Sequence, residues 1–162
     1  MMNERGRFDR TRRVIIKGVA ALVASIGLGT RLKEAAAADA AQWPKDAFAA
    51  KTAAGAIKAL YGKEPEASDQ IKLDAPEIAE DGAVVPISVT TMVPDVTSIA
   101  IVVSENPNPL AAAYKIPPGT SGMVANRLKM AKTSKVTALV ESGGKILSTS
   151  KEVKVTVGGC GG

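Results

Sequence analysis

The sequence contains no histidine, one cysteine (Cys160) and only five aromatic side chains, one Trp, two Tyr and two Phe, in 162 residues. Each shortage excludes a class of function. Without histidine the commonest general base is missing, and with it Cys-His and Ser-His catalytic arrangements and histidine-bearing zinc sites. One cysteine makes neither a disulfide framework nor a resolving pair for a self-contained thiol redox protein. Five aromatics make no platform for stacking bases. The formal charge of +5 is not a nucleic-acid footprint either. Residues 1–40 hold eight Lys/Arg and four Asp/Glu, while residues 41–162 hold thirteen and twelve. Long apolar runs are also missing, because Gly18 to Gly29 falls short of the roughly 20 residues a membrane-spanning helix needs. No stable membrane insertion is expected. Pro118-Gly119-Thr120-Ser121-Gly122 lacks the Gly-Lys-Ser/Thr of a phosphate loop. Glu77, Glu80 and Asp81 read as solvated turn acids rather than metal ligands. No catalytic residue, metal site or cofactor site is therefore read in this chain.

What remains is the end of the chain, Val157-Gly158-Gly159-Cys160-Gly161-Gly162. Four glycines surround the one thiol. Glycine lacks Cβ and has the widest backbone freedom of any residue, so Gly158, Gly159, Gly161 and Gly162 read as a flexible arm that presents Cys160 to a narrow site. Free cysteines are normally buried as small hydrophobes, and nothing in this segment can bury one. Prenylation needs three residues after the cysteine and only two follow. A solvated thiol has a pKa of about 8.5, so a few per cent is thiolate at neutral pH. Cys160 is thus read as a nucleophile that another protein's active site activates.

The start of the chain reads as an export signal. Arg5, Arg7, Arg10, Arg12, Arg13 and Lys17 form a basic region ahead of the apolar stretch, and small-x-small cleavage sites follow between Ala36 and Ala40. Arg12 and Arg13, within Thr11-Arg12-Arg13-Val14-Ile15-Ile16-Lys17, resemble the twin-arginine motif, with Ile15 where Phe is commonest. The expected division is a cleaved signal over 1–40, with cleavage between Ala38 and Ala41, a folded domain over 41–157 and a carrier tail over 158–162. The expected location is the periplasm.

Within the folded part, Asp46 to Leu60 predicts one Ala-rich helix with Phe48, Ala56, Ala59 and Leu60 as its apolar stripe. Gly55 weakens that helix and Gly62 stops it. Lys63 to Gln70 reads as a polar link. Strand signals follow. Val85, Ile87 and Val89 alternate with Pro86, Ser88 and Thr90, and Pro86 points to an edge strand or a bulge. Ile99 to Val103 is apolar on both faces and reads as a central strand. Leu110 to Ile116 is a shorter strand. Val124, Leu128 and Met130 point inward, as do Val136, Ala138 and Val140. Ser142-Gly143-Gly144-Lys145 predicts a two-residue hairpin turn to Ile146-Leu147, and Val153, Val155 and Val157 a last strand anchoring the tail. About seven strands predict an immunoglobulin-like β-sandwich preceded by one short helix. Charge is uneven along it. Residues 64–105 carry nine acidic groups against Lys72 alone, and 115–154 carry eight basic groups against two acidic ones. Such a surface suits docking of several partners, where charge sets encounter and orientation.

The twin-arginine leader, the helix, the sandwich and above all the terminal Gly-Gly-Cys-Gly-Gly resemble the SoxY family, the sulfur carriers of the bacterial Sox thiosulfate-oxidation system. Leu73 to Pro86 also looks like that family's approach to the sandwich. The resemblance implies a carrier rather than an enzyme, with sulfur intermediates held covalently on Cys160. It implies a heterodimer with a SoxZ-like sandwich subunit. It further implies a c-type cytochrome that loads thiosulfate, a hydrolase that releases sulfate, and a sulfane dehydrogenase that oxidises the remaining persulfide. The reading from another class is an exported structural or interaction sandwich whose cysteine forms an intermolecular disulfide.

Overall fold

In a computed structural model the chain divides into two units, Met1–Trp43 and Pro44–Gly162. Residues 43–156 are described, and the account below concerns the second unit.

Two helices come first, α1 (Lys45–Ala49) and α2 (Ala53–Tyr61), where the sequence pattern predicts one. The break lies at Thr52. Its backbone is extended and its side chain accepts a hydrogen bond from the Gly55 N–H, a helix N-cap. Gly55 belongs to that cap, because a Cβ there would lie 2.8 Å from Thr52 Oγ1. The residue that weakens a continuous helix is therefore the one that lets a new helix start. Gly62 ends α2 as expected, at φ 67° with its N–H donating to the Lys58 carbonyl. Of the predicted stripe, Phe48, Ala56 and Leu60 face inward. Ala59 is exposed, and Ile57 packs with the others instead.

Nine strands follow: β1 (Glu66–Ala67), β2 (Ile71–Asp74), β3 (Ile78–Ala79), β4 (Val85–Thr91), β5 (Val96–Val103), β6 (Leu110–Lys115), β7 (Met123–Leu128), β8 (Ser134–Ser142) and β9 (Lys145–Val155). Seven are longer than two residues. They form an immunoglobulin-like sandwich of two sheets. The larger runs β1-β9-β8-β5-β6 with β3 also on β9, and the smaller runs β2-β4-β7. The hairpin from β8 to β9 pairs Ser142 with Lys145 across Gly143 and Gly144, at φ 55° and 75°. Positive φ at both central residues is what a tight right-twisted hairpin needs. The last strand is longer than expected, one unbroken strand from that turn to Val155.

β5 is central, between β8 and β6, and its two faces serve different layers. Ile99, Ile101 and Val103 enter the core between the sheets with Ile87, Val89, Val136, Val140 and Val153. Ala100 and Val102 face outward and pack with Leu139, Ile146 and the helix residues Ala47 and Ala56. Helices thus cover the outer face of the large sheet, which explains why β5 is apolar on both faces. Each buried aliphatic side chain stabilises the layers by about 1.5–3 kcal/mol.

Pro86 corrects the expectation of an edge strand, since β4 is the middle strand of its sheet. β2 reaches only as far as Asp74, opposite Ser88, while Pro86 faces Arg127 of β7. Beyond Ser88 the β2 flank of β4 is open, so a residue without an N–H costs no ladder bond there.

Candidate functional site

Cys160, Gly158, Gly159, Gly161, Gly162 and the Arg12–Arg13 pair all lie outside the described residues. So does Val157, the last of the three valines read as the final strand; Val153 is fully buried and Val155 partly so. What the structure does describe is the root from which the tail departs, and that root is held on both edges of β9.

On one edge, β3 runs parallel to β9, with Ile78 opposite Lys154 and Ala79 opposite Val155. The Lys154 N–H donates to the Glu77 carbonyl at 2.9 Å and the Thr156 N–H to the Ala79 carbonyl at 3.1 Å. The Thr156 hydroxyl also donates to the Glu80 carbonyl at 3.4 Å. On the other edge the ladder with β8 ends where Ser134 meets Val153. The next outward N–H, that of Val155, has no strand residue beyond Ser134 to accept it. The Thr133 hydroxyl takes it at 3.0 Å, extending the pairing with a side chain. β9 is therefore fixed to its final residue, and position 156 is a defined point of departure for whatever follows. Cys160 is four residues beyond it, a reach of about 14 Å for an extended chain.

Sequence reasoning missed this clamp. β1 and β3 have two residues each, too few to show a period, and the segment holding β1 reads as a polar link. Thr133 sits in an ordinary Lys-Thr-Ser turn, and nothing local marks its hydroxyl as an acceptor for a residue 22 positions away.

The uneven charge acquires a place. Glu77, Glu80 and Asp81 flank β3, on one side of the tail root, all exposed. Lys132 lies beside Thr133 on the other, paired with Glu105 at 2.8 Å. A second pair, Lys145–Glu66 at 3.8 Å, also joins the basic part of the chain to the acidic part, while Lys72–Asp74 at 3.1 Å is local. All three are more than half exposed, and such pairs stabilise by at most about 1 kcal/mol. Asp81 accepts the Ala83 N–H at 2.7 Å and shapes its own turn. Among the described residues no three His, Cys, Asp or Glu side chains converge to hold a metal, and no helix is long and apolar enough to cross a membrane.

At the opposite end of the sandwich, Tyr61 ties α2 to the large sheet. Ser98 Oγ donates to its hydroxyl at 3.0 Å and lies 3.3 Å from Glu141 Oε2, which also accepts from Thr97 at 3.0 Å. The Tyr61 hydroxyl is pushed up to about 12, chiefly by burial; the Ser98 hydrogen bond works against that rise and the Glu141 charge adds to it. This group braces the helix layer and is far along β9 from the tail.

A family model described as sulfur oxidation protein SoxY matches residues 57–160. Among solved structures, the sulfur carrier protein SoxY from Chlorobium limicola f thiosulfatophilum is 41% identical, with a TM-score of 0.58, over 63% of this chain and 94% of that chain. Two structures of a superoxide reductase (neelaredoxin) from Ignicoccus hospitalis align at 18% and 16% identity, both with TM-scores of 0.48, over 53% of this chain and 79% and 80% of theirs. That likeness is too slight to carry an argument. No curated protein matches the chain.

Proposed function

The chain belongs to the SoxY family of sulfur oxidation proteins, and from that premise we propose that it is a periplasmic sulfur carrier holding thiosulfate-derived intermediates on Cys160. The observation that carries the reading is where the family match ends: it runs from residue 57 to the cysteine itself, residue 160. The carrier role is covalent. In loading, the Cys160 thiolate and thiosulfate form a new S–S bond and give up two electrons, which a c-type cytochrome partner accepts. The product is a cysteine S-thiosulfonate. Hydrolysis of its terminal S–S bond consumes one water, releases sulfate and two protons, and leaves a persulfide on Cys160. A sulfane dehydrogenase then removes six electrons from the outer sulfur of that persulfide and passes them to a cytochrome acceptor, while three waters supply the oxygens and six protons leave. Hydrolysis of the resulting cysteine S-sulfonate consumes one more water, releases sulfate and two protons, and frees the Cys160 thiolate.

This chain supplies attachment and presentation to the sequence of reactions, and its partners supply the chemistry. The clamp on β9 supports such a division. The described residues are held through Thr156 by hydrogen bonds on both edges of the last strand, and glycine on either side of the cysteine lets a partner's pocket close around the adduct without meeting a Cβ. Partners read the surface round the root, where charge sets encounter and orientation, and a SoxZ-like sandwich subunit completes the carrier.

Intact mass measures this directly. Protein taken from cells oxidising thiosulfate should carry sulfane or thiosulfonate adducts on the peptide containing Cys160, removed by reductant. Protein that shows only a disulfide-linked dimer, with no sulfur adduct under turnover, would refute the carrier reading in favour of a structural cross-link.

A further inference from the structure

Thr133, whose hydroxyl accepts the Val155 N–H, is exposed and belongs to no strand. It sits in residues 129–133, which join β7 to β8. That loop is held from outside, by the turn that follows β5. The Asn106 amide nitrogen donates to the Lys129 carbonyl at 2.7 Å, and the amide oxygen accepts the Ala131 N–H at 2.9 Å. One side chain thus takes the two peptide groups that flank Met130, as an adjacent strand would, using both the donor and the acceptor of an Asn amide. Met130 itself is fully buried, and its N–H donates to the Gly82 carbonyl at 2.7 Å. Beyond Thr133, the Glu105 N–H donates to the hydroxyl of the buried Ser134 at 3.0 Å, and the Glu105 carboxylate pairs with Lys132 at 2.8 Å. Glu105 and Asn106 therefore hold the chain on both sides of Thr133. Their own turn is stiff. Asn106 and Asn108 each precede a proline, which disfavours the helical region for them and fixes φ at the residue that follows.

We propose that Asn106 is a positioning residue of the carrier. Through the 129–133 loop it sets where the Thr133 hydroxyl stands, and so the line along which the tail leaves β9 for a partner's active site. The functional half of this rests on the carrier reading; the coupling of Asn106 to Val155 does not. Asn106 carries the effect rather than its neighbour. The Glu105–Lys132 pair is more than half exposed and holds little. The bond from Glu105 to Ser134 uses a main-chain N–H, which any residue but proline supplies. The Asn106 contacts need a side chain with a donor and an acceptor at one length, and an ionised Asp lacks the donor. The consequence for the carrier is one of encounter. A loosened root presents Cys160 along many lines, and ordering it opposes binding when a partner engages the arm. KM for the carrier then rises, while the chemistry of an arm already in the pocket is unchanged.

Amide hydrogen exchange and loading kinetics on the full chain test it together. Asn106→Ala should speed exchange at Ala131 and at Val155, the latter by no more than Thr133→Val does, about two- to sixfold. In the Thr133→Val background it should add nothing at Val155, because the bond it positions is already gone. Asn106→Asp should match the alanine variant at neutral pH. Below its ordinary pKa of about 4 the protonated carboxyl regains a donor, so the excess Val155 exchange over wild type at the same pH should shrink for Asp and persist for Ala. Asn126→Ala, which loses an amide bonded to the Tyr114 hydroxyl and the Arg127 N–H, is the control and should leave Val155 unchanged. With thiosulfate and the loading cytochrome, Asn106→Ala should raise KM for the carrier by about threefold or more at unchanged kcat. Circular dichroism shows that each variant is folded, and Asn106→Asp takes the place of an alanine variant that is not. Val155 exchange indifferent to Asn106→Ala, or additive effects of Asn106→Ala and Thr133→Val, would overturn the coupling. Faster exchange with an unchanged KM would overturn the positioning role and leave the carrier reading standing. Wild-type protein that takes no sulfur on Cys160 would end the carrier reading, and the positioning role with it.

Discussion

Replacing Thr133 by valine keeps the shape of the side chain and removes the one atom that accepts the Val155 N–H, at 3.0 Å. β8 offers no main-chain acceptor at that level, since its pairing stops at Ser134 opposite Val153. A hydrogen bond of this kind contributes about 0.5–1.5 kcal/mol net. The bond is on the exposed side of the strand end, so water can replace the lost acceptor and the lower half of that range applies. Local opening of the last residues of β9 should then rise by about two- to sixfold, while the core around Val153, which is fully buried, stays closed. Hydrogen exchange read on the Val155 and Thr156 amides measures the local effect, and urea unfolding the global one. The expected outcome is faster exchange at those two amides, a global loss below about 1 kcal/mol, and unchanged reaction of Cys160 with a small maleimide. Unaltered Val155 exchange would show that the Thr133 hydroxyl does not hold the root. A global loss above about 2 kcal/mol would show that the clamp is part of the core rather than a local fastening.

Cys160→Ser should fold normally, take no sulfur adduct and abolish thiosulfate-dependent turnover in a reconstituted system, whereas Gly159→Pro, which fixes φ near −65°, should still react with maleimide yet turn over poorly; full activity of the serine variant would end the carrier reading. Arg12→Lys with Arg13→Lys keeps the leader's charge and should leave precursor in the cytoplasm, and normal periplasmic accumulation would rule out the twin-arginine route. Thr52→Ala should cost about 1 kcal/mol, while Gly55→Ala should be near neutral in the native chain, because its gain of about 1 kcal/mol in helix propensity is offset by displacing the cap oxygen 2.8 Å away. In the Thr52→Ala background Gly55→Ala should stabilise by the full amount, and additive effects in urea titrations would contradict the shared cap. Tyr61 keeps its proton to a higher pH when folded, about 12 against 10.0. Its contribution is whole below pH 10 and is lost as pH rises towards 12, so Tyr61→Phe should flatten the alkaline fall in stability over that window.

Much of this fold is legible along the chain because its causes are local. The alternation of Val85, Ile87 and Val89 has a period of two whatever the strand's neighbours are. Gly143-Gly144 supplies positive φ at two successive positions, and Gly62 supplies it at a helix end. The terminal Gly-Gly-Cys-Gly-Gly needs no fold to be recognised. Where the pattern misled, the missing information was the identity of a partner. Pro86 suggests an edge because the sequence does not say that β2 stops at Asp74 and leaves that flank open. One helix is predicted from Asp46 to Leu60 because Ala-rich composition outweighs a cap that depends on Thr52 and Gly55 together. β1 and β3 are invisible because two residues have no period, and they become strands only when β9, about eighty positions later, arrives beside them. The same holds for the tail root and the turn that braces it. Thr133, Ala79 and Thr156, or Glu105, Asn106 and Ala131, are ordinary residues in sequence. Hydrogen bonds and packing act between atoms within a few ångströms, so what those residues do depends on which distant segments the closed sandwich sets beside them.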